Sequence, residues 1–205
     1  MNILNKILDT KRVELDRNSK IRRFDDIFEE AKSVTRPALS FVKALRESDN
    51  HIIAEFKRRS PSKGFFNAGA KVETIVGGYS AVGAAAISVL TDSDYFGGSL
   101  DDLVAARKVS ALPLLRKDFI IDEYQICEAR IADADVVLLI AAAMTPDRCE
   151  KLAEFARSLG LEVLLEIHNE QELTHINSFV NAVGVNNRDL TTFVTDVAVS
   201  HRLAP

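Results

Sequence analysis

The feature that most limits the fold is an alternation that begins at residue 51. Six short apolar runs stand out: HIIAEFK (51–57), AAISVLT (85–91), LPLLRKD (112–118), DVVLLIA (135–141), LEVLLEI (161–167) and NAVGVNN (181–187). Amphipathic stretches follow them near 71–82, 99–109, 122–132, 146–159, 169–178 and 191–202. Near-continuous apolar strands alternating with helices make a parallel α/β sheet, covered on both faces. Pro146 suits the first position of its helix and Gly160 the position just past its end. Residues 1–50 differ. Ile3, Leu4, Ile7 and Leu8 recur at helical spacing with Lys6, Lys11 and Arg12 between them, and further helices fit Asp25–Lys32 and Ala38–Arg46, the last begun by Pro37. The chain therefore divides into a helical extension, 1–50, and six βα units, 51–205.

Two parallel architectures compete. An open doubly wound sheet places its site at one crevice, where the strand order reverses. A closed barrel draws functional residues from the C-terminal ends of many strands. Here run after run ends in polar residues: Glu55 and Lys57, Thr91 and Asp92, Lys117 and Asp118, Glu166, then Asn186 and Arg188. A buried parallel strand tolerates Lys or Glu only where something uses the charge. The repeated placement favours a (β/α)8 barrel type with an N-terminal helical extension. No G-x-G-x-x-G follows the first strand, which weakens a dinucleotide-binding reading. Such a barrel usually needs about 250 residues, and the chain has 205.

Composition removes other classes. The net charge is −4 and the pI about 5.6, which argues against a broadly basic nucleic-acid surface. The two cysteines, Cys127 and Cys149, belong to no zinc-ligand spacing and make a disulfide framework improbable, so a reducing cytoplasm is expected. The longest apolar run, Val136–Met144, falls far short of the roughly 20 residues that span a bilayer, and the charged N-terminus has no signal-peptide core.

Several residues carry chemistry. Side chains alternate along a strand, so Glu55 and Lys57 share a face. In a closed sheet they converge with Lys117 and Glu166 on one cavity, where the lone alternatives are a structural ion pair and solvated strand ends. A lysine in an apolar pocket or near other cations gives up its proton more readily, and a neighbouring carboxylate accepts one. Lys57, Arg58, Arg59 and Lys63 surround Ser60-Pro61-Ser62 and flexible Gly64. That window suits a phosphate or carboxylate, or else it is a charged surface loop. His168 reads as a loop residue, His51 as a surface residue, and Gly97-Gly98 as a turn.

Together IIAEFKRRSPSKG (52–64), ISVLTDSDYFGGS (87–99), LPLLRKDFIIDEYQI (112–126), ADVVLLIAA (134–142), LLEIHNE (164–170) and VGVNNRDL (183–190) resemble the indole-3-glycerol phosphate synthase family, as does the helical extension. The resemblance implies tryptophan biosynthesis and a carboxy-lyase. Its substrate would be 1-(2-carboxyphenylamino)-1-deoxyribulose 5-phosphate, closed to indole-3-glycerol phosphate with loss of carbon dioxide and water. It implies no metal or organic cofactor, a small phosphorylated substrate as the partner, no nucleic acid, no membrane, and a monomer for a complete member. By the same resemblance Lys117 is the general acid and Glu166 its carboxylate partner. Lys57 holds a substrate anion, Glu55 assists proton transfer, and Asn186 and Arg188 orient the substrate. Ser60 contacts the phosphate, and Phe119 and Leu90 line the pocket for the aromatic ring.

The family pattern continues with a seventh strand ending in Glu and Ser and an eighth with a glycine phosphate turn. Neither is in the sequence given. The expectation is a weakly active or inactive chain that self-associates through open strand edges. The alternatives are a non-catalytic barrel fragment and another phosphosugar barrel enzyme. The intact Glu55–Lys57 pair with Lys117 and Glu166 weighs against the last.

Overall fold

The structure, a computed structural model, describes residues 3–188 and 194–203. In chain order the elements are α1 (Ile3–Ile21), α2 (Phe24–Ser33), α3 (Phe41–Glu47), β1 (Ile53–Phe56), β2 (Arg59–Ser60), β3 (Gly64–Phe65), α4 (Val72–Ala81), β4 (Ala86–Leu90), α5 (Leu100–Val109), β5 (Leu114–Lys117), α6 (Glu123–Ile131), β6 (Val136–Ile140), α7 (Pro146–Ser158), β7 (Glu162–Ile167), β8 (Ala182–Val185) and α8 (Ala198–Leu203). Strands β1, β4, β5, β6, β7 and β8 lie side by side in that order, all parallel, and curl into a partial barrel.

The two-residue period of a strand sorts the side chains. Ile87, Val89, Leu114, Val137, Leu139, Val163 and Leu165 face outward into the main core, against Val76, Leu103, Ile126 and Leu152 of the helices. Ala86, Leu115, Val136, Leu138 and Ile140 face inward, where Phe41 of α3 joins them. Phe41 is 1% exposed. The extension is thus part of the core: α3 seats an aromatic ring against the inner face, and α2 lies on α6.

Capping explains where the helices begin. Ser40 accepts from Lys43 N (3.1 Å), so α3 starts at Phe41, three residues later than Pro37 and its neighbours suggest. Ser99, Asp122 and Thr145 cap α5, α6 and α7 in the same way, Asp122 within a full capping box with Gln125. Three expectations change. The stretch 169–178 forms only a 3-10 helix, Glu170–His175. Asn169 caps it, and the Glu172 carboxylate turns back to His168 N and Asn169 Nδ2, local bonds that compete with a longer α-helix. The helix expected at 191–202 is α8, whose start is capped by Asp196 Oδ1 on Ala198 N (2.9 Å), after a bridge between Arg188 and Thr195; residues 191–193 of that stretch lie outside the described residues, as do Asp189 and Leu190. The charged window after β1 is a small antiparallel hairpin, β2–β3, turned by Gly64 at φ +63°.

Among the described residues no helix is long and apolar enough to cross a membrane.

Candidate active site

The strand registers bring the polar strand ends to one level. Glu55 pairs with Ser88, Leu90 with Lys117, Ile140 with Glu166, and Glu166 with Gly184. These are inward positions, and above them lies a cavity of about 530 Å³. Glu55, Lys57, Ser60, Leu90, Lys117, Phe119, Glu166, Asn186 and Arg188 all line it. Those nine residues therefore line one cavity. The floor is apolar, from Leu138, Ile140 and Leu164, and one side is aromatic, with Phe96 and Phe119 rings 6.0 Å apart.

Two charged groups face each other across the cavity. Lys57 Nζ pairs with Glu55 Oε1 at the end of β1. On the far side Lys117 Nζ lies 3.4 Å from Glu166 Oε2, and Asn186 Nδ2 donates to Glu166 Oε1 (3.1 Å). Burial alone would raise the Glu166 pKa. The Lys117 ammonium, His168 and Asn186 outweigh it and hold the group at about 2, so it is a carboxylate at neutral pH. Arg188 is exposed at the rim, its backbone N–H donating to Asn186 Oδ1 (3.0 Å).

The charged window divides by strand parity. Arg58, one residue out of step with Lys57, points away from the cavity and forms a forked pair with Asp102 (2.6 and 2.9 Å). Arg59 donates to the Asp94 carbonyl. Two of the four cations that suited an anion are thus structural, and Lys57 alone of the four lines the cavity. Thr91 and Asp92 likewise serve the frame. Asp92 accepts from Tyr95 N (2.7 Å) and Phe96 N (3.1 Å), fixing the turn that carries the Phe96 ring.

Sequence reasoning missed three contributors. Helix α1 lays Ile3, Leu4 and Ile7 over the cavity. Lys11, on the same helix, is 3% exposed and pairs with Asp92 Oδ2 (2.8 Å), Glu14 Oε2 (2.9 Å) and Asp118 Oδ1 (3.1 Å). Burial pulls the Lys11 pKa down, but Asp118 and Asp92 more than reverse it, and the group stays charged. Asp118 in turn meets Arg116 (3.1 Å) and the Thr91 hydroxyl (2.6 Å), so the segment beside Lys117 is locked on both sides. The signal for Lys11 was its place on the apolar stripe Leu4, Ile7, Leu8, Lys11, where a solvated lysine does not belong. The Gly97-Gly98 turn also does more than punctuate. A Cβ on Gly98 would stand 2.0 Å from the Leu90 carbonyl oxygen, so only glycine lets the turn close over the end of β4. The third is His168, which lies behind Glu166.

No cluster of three or more His, Cys, Asp or Glu among the described residues is arranged to hold a metal ion. Cys127 and Cys149 are buried, and burial pushes their thiols up to about 12 and about 11, which leaves neither a nucleophile at neutral pH.

A parallel βα barrel sheet with ionisable groups gathered over the C-terminal ends of its strands defines the class: an enzyme of the βα-barrel type. The sequence profile of indole-3-glycerol phosphate synthases matches residues 4–205. The chain is 52% identical over 202 residues to the indole-3-glycerol phosphate synthase of Bacteroides thetaiotaomicron, a match covering 98% of this chain and 77% of that one. It is 43% identical to that of Bacillus cereus (98% and 76% covered) and 40% identical to that of Aliarcobacter butzleri (99% and 79%). The chain belongs to the indole-3-glycerol phosphate synthase family.

Proposed function

We propose that this cavity closes the indole ring: it converts 1-(2-carboxyphenylamino)-1-deoxyribulose 5-phosphate to indole-3-glycerol phosphate, carbon dioxide and water, as a carboxy-lyase acting in the cytoplasm. The observation that carries the reading is the pairing of an ammonium, Lys117, with an ionised carboxylate, Glu166, against an aromatic wall and opposite a second pair, Glu55 and Lys57. Attack of the carboxylated ring carbon on the ketone builds negative charge on its oxygen. Lys117 donates the proton that quenches it. The ring regains aromaticity when its carboxylate leaves as carbon dioxide, which requires the carboxylate to give up an ionic contact, here with Lys57. Dehydration then needs an acid for the departing hydroxyl and a base for the nitrogen proton, and Glu166, ionised, is the base. Glu55 assists proton transfer through Lys57, Asn186 and Arg188 orient the substrate, Ser60 meets the phosphate, and Leu90 and Phe119 pack against the aryl ring. The partner is this small phosphorylated anion.

The test is single-turnover conversion with protein in excess, read by indole fluorescence. Lys117→Ala slows product formation at least 100-fold, the lower end of what a general acid contributes, roughly 10²–10⁴. Glu166→Gln slows the dehydration step and accumulates an intermediate that still lacks indole fluorescence. Conversion by Lys117→Ala at the wild-type rate would overturn the assignment.

A further inference from the structure

His168 follows β7 by one residue and, two positions beyond Glu166, leans the same way. Its side chain is 10% exposed and stands between two carboxylates. On one side Nδ1 lies 3.1 Å from Glu172 Oε2, an oxygen that also accepts from His168 N (2.8 Å). Glu172 is held in place by Asn169, whose Nδ2 donates to its other oxygen (2.9 Å). On the other side Nε2 lies 3.5 Å from Glu166 Oε1, at ion-pair distance but outside hydrogen-bond geometry, and this buried nitrogen has no other partner. A small hollow of about 190 Å³ opens behind the ring, bounded by Glu170 of the 3-10 helix and Arg202 of α8.

The site has a use for that arrangement. Glu166 is balanced by Lys117 on Oε2 and by Asn186 on Oε1. When Lys117 turns to the substrate ketone, the carboxylate loses its only lysine contact while still buried. We propose that His168 is a positioning residue that takes up Glu166 at that moment: Glu172 keeps the imidazole doubly protonated, and Nε2–H closes on Oε1. The inference rests on the ring-closure reading for its purpose, but the geometry it describes is independent of it. The groups that face the ring agree. Against the pull of burial, Glu166 and Glu172 raise the His168 pKa to about 9; the cations on these sides are Lys117, paired with Glu166, and Arg202, which lines the hollow.

The experiment is side-chain NMR on the whole 205-residue chain, labelled at histidine nitrogens and glutamate carboxyl carbons. His168 stays an imidazolium at pH 8. Glu172→Gln lowers the His168 midpoint by at least one pH unit. His168→Asn moves the Glu166 carboxyl midpoint upward by at least one pH unit and shifts the acid limb of single-turnover conversion in the same direction, with the protein concentration giving half the maximal rate unchanged. A neutral His168 at pH 7, or a Glu166 titration indifferent to His168→Asn, overturns the proposal. Should His168→Asn not fold, the wild-type and Glu172→Gln titrations decide alone. A moved Glu166 titration together with conversion left unchanged by Lys117→Ala would instead refute the ring-closure reading and leave the positioning role standing.

Discussion

Lys11→Met isolates what one buried cation contributes. Methionine keeps most of the apolar stem, so α1 still packs through Leu4, Ile7 and Leu8 and only the charge is lost. Removing one partner of a buried pair costs about 3–5 kcal/mol, because an uncompensated charge stays behind. Here two buried carboxylates are left, Asp92 wholly buried and Asp118 3% exposed, beside the more accessible Glu14. They are not destitute: Asp92 keeps the Tyr95 and Phe96 amides, and Asp118 keeps Arg116, Thr91 and the Phe119 amide. That places the loss at the lower end, about 3 kcal/mol. At roughly 2–4 °C per kcal/mol for a domain of this size, Tm falls by roughly 6–12 °C. Urea unfolding followed by circular dichroism reads the same loss as a lower midpoint at unchanged slope. Adding Asp118→Asn removes one stranded charge and restores part of it. A loss under about 1 kcal/mol, the range of a surface pair, would refute the claim that Lys11 is the buried counter-ion of this network.

Other outcomes follow from single contacts. Gly98→Ala destabilises by at least about 2 kcal/mol, as overpacking against backbone does, and lowers conversion because the turn carries Phe96; unchanged urea midpoints would contradict the 2.0 Å approach to Leu90. Phe41→Ala costs about 3–5 kcal/mol, since the ring is 1% exposed inside the barrel; a loss near 1 kcal/mol would mean the extension is dispensable to the core. The Asp118 pKa is held at about 2, burial being outweighed by Arg116 and Lys11, against 3.8 ordinarily. A depressed carboxylate stabilises above its unfolded pKa, so its contribution, about 2 kcal/mol at about 1.4 kcal/mol per pKa unit, is present at pH 5 and lost between about pH 4 and pH 2. The stability difference between wild type and Asp118→Asn shrinks by that amount across the window, and a constant difference would refute it.

The strands were legible because burial on both faces writes an apolar run, and a Lys or Glu at its end has to be explained. Strand parity then put Glu55, Lys57, Lys117 and Glu166 on the cavity side, as found. The same parity places Arg58 on the other side, which local charge density had hidden. Lys11 and His168 were harder. The partners of Lys11 sit 81 and 107 positions away, at Asp92 and Asp118, and only the curled sheet brings α1 over them. His168 needed the 3-10 helix that folds Glu172 back onto it, where periodicity suggested an ordinary α-helix. Local propensity does not encode such returns.

If the substrate anion binds and reacts in the cavity over the strand ends, calorimetric titration with the alcohol obtained by reducing the substrate ketone, which can bind but not cyclise, shows it without catalysis. Binding is to one site, weakened at least tenfold by Lys57→Ala and by Lys117→Ala, and untouched by Lys63→Ala, which lies outside the cavity. No binding, or equal affinity in all four proteins, would contradict it.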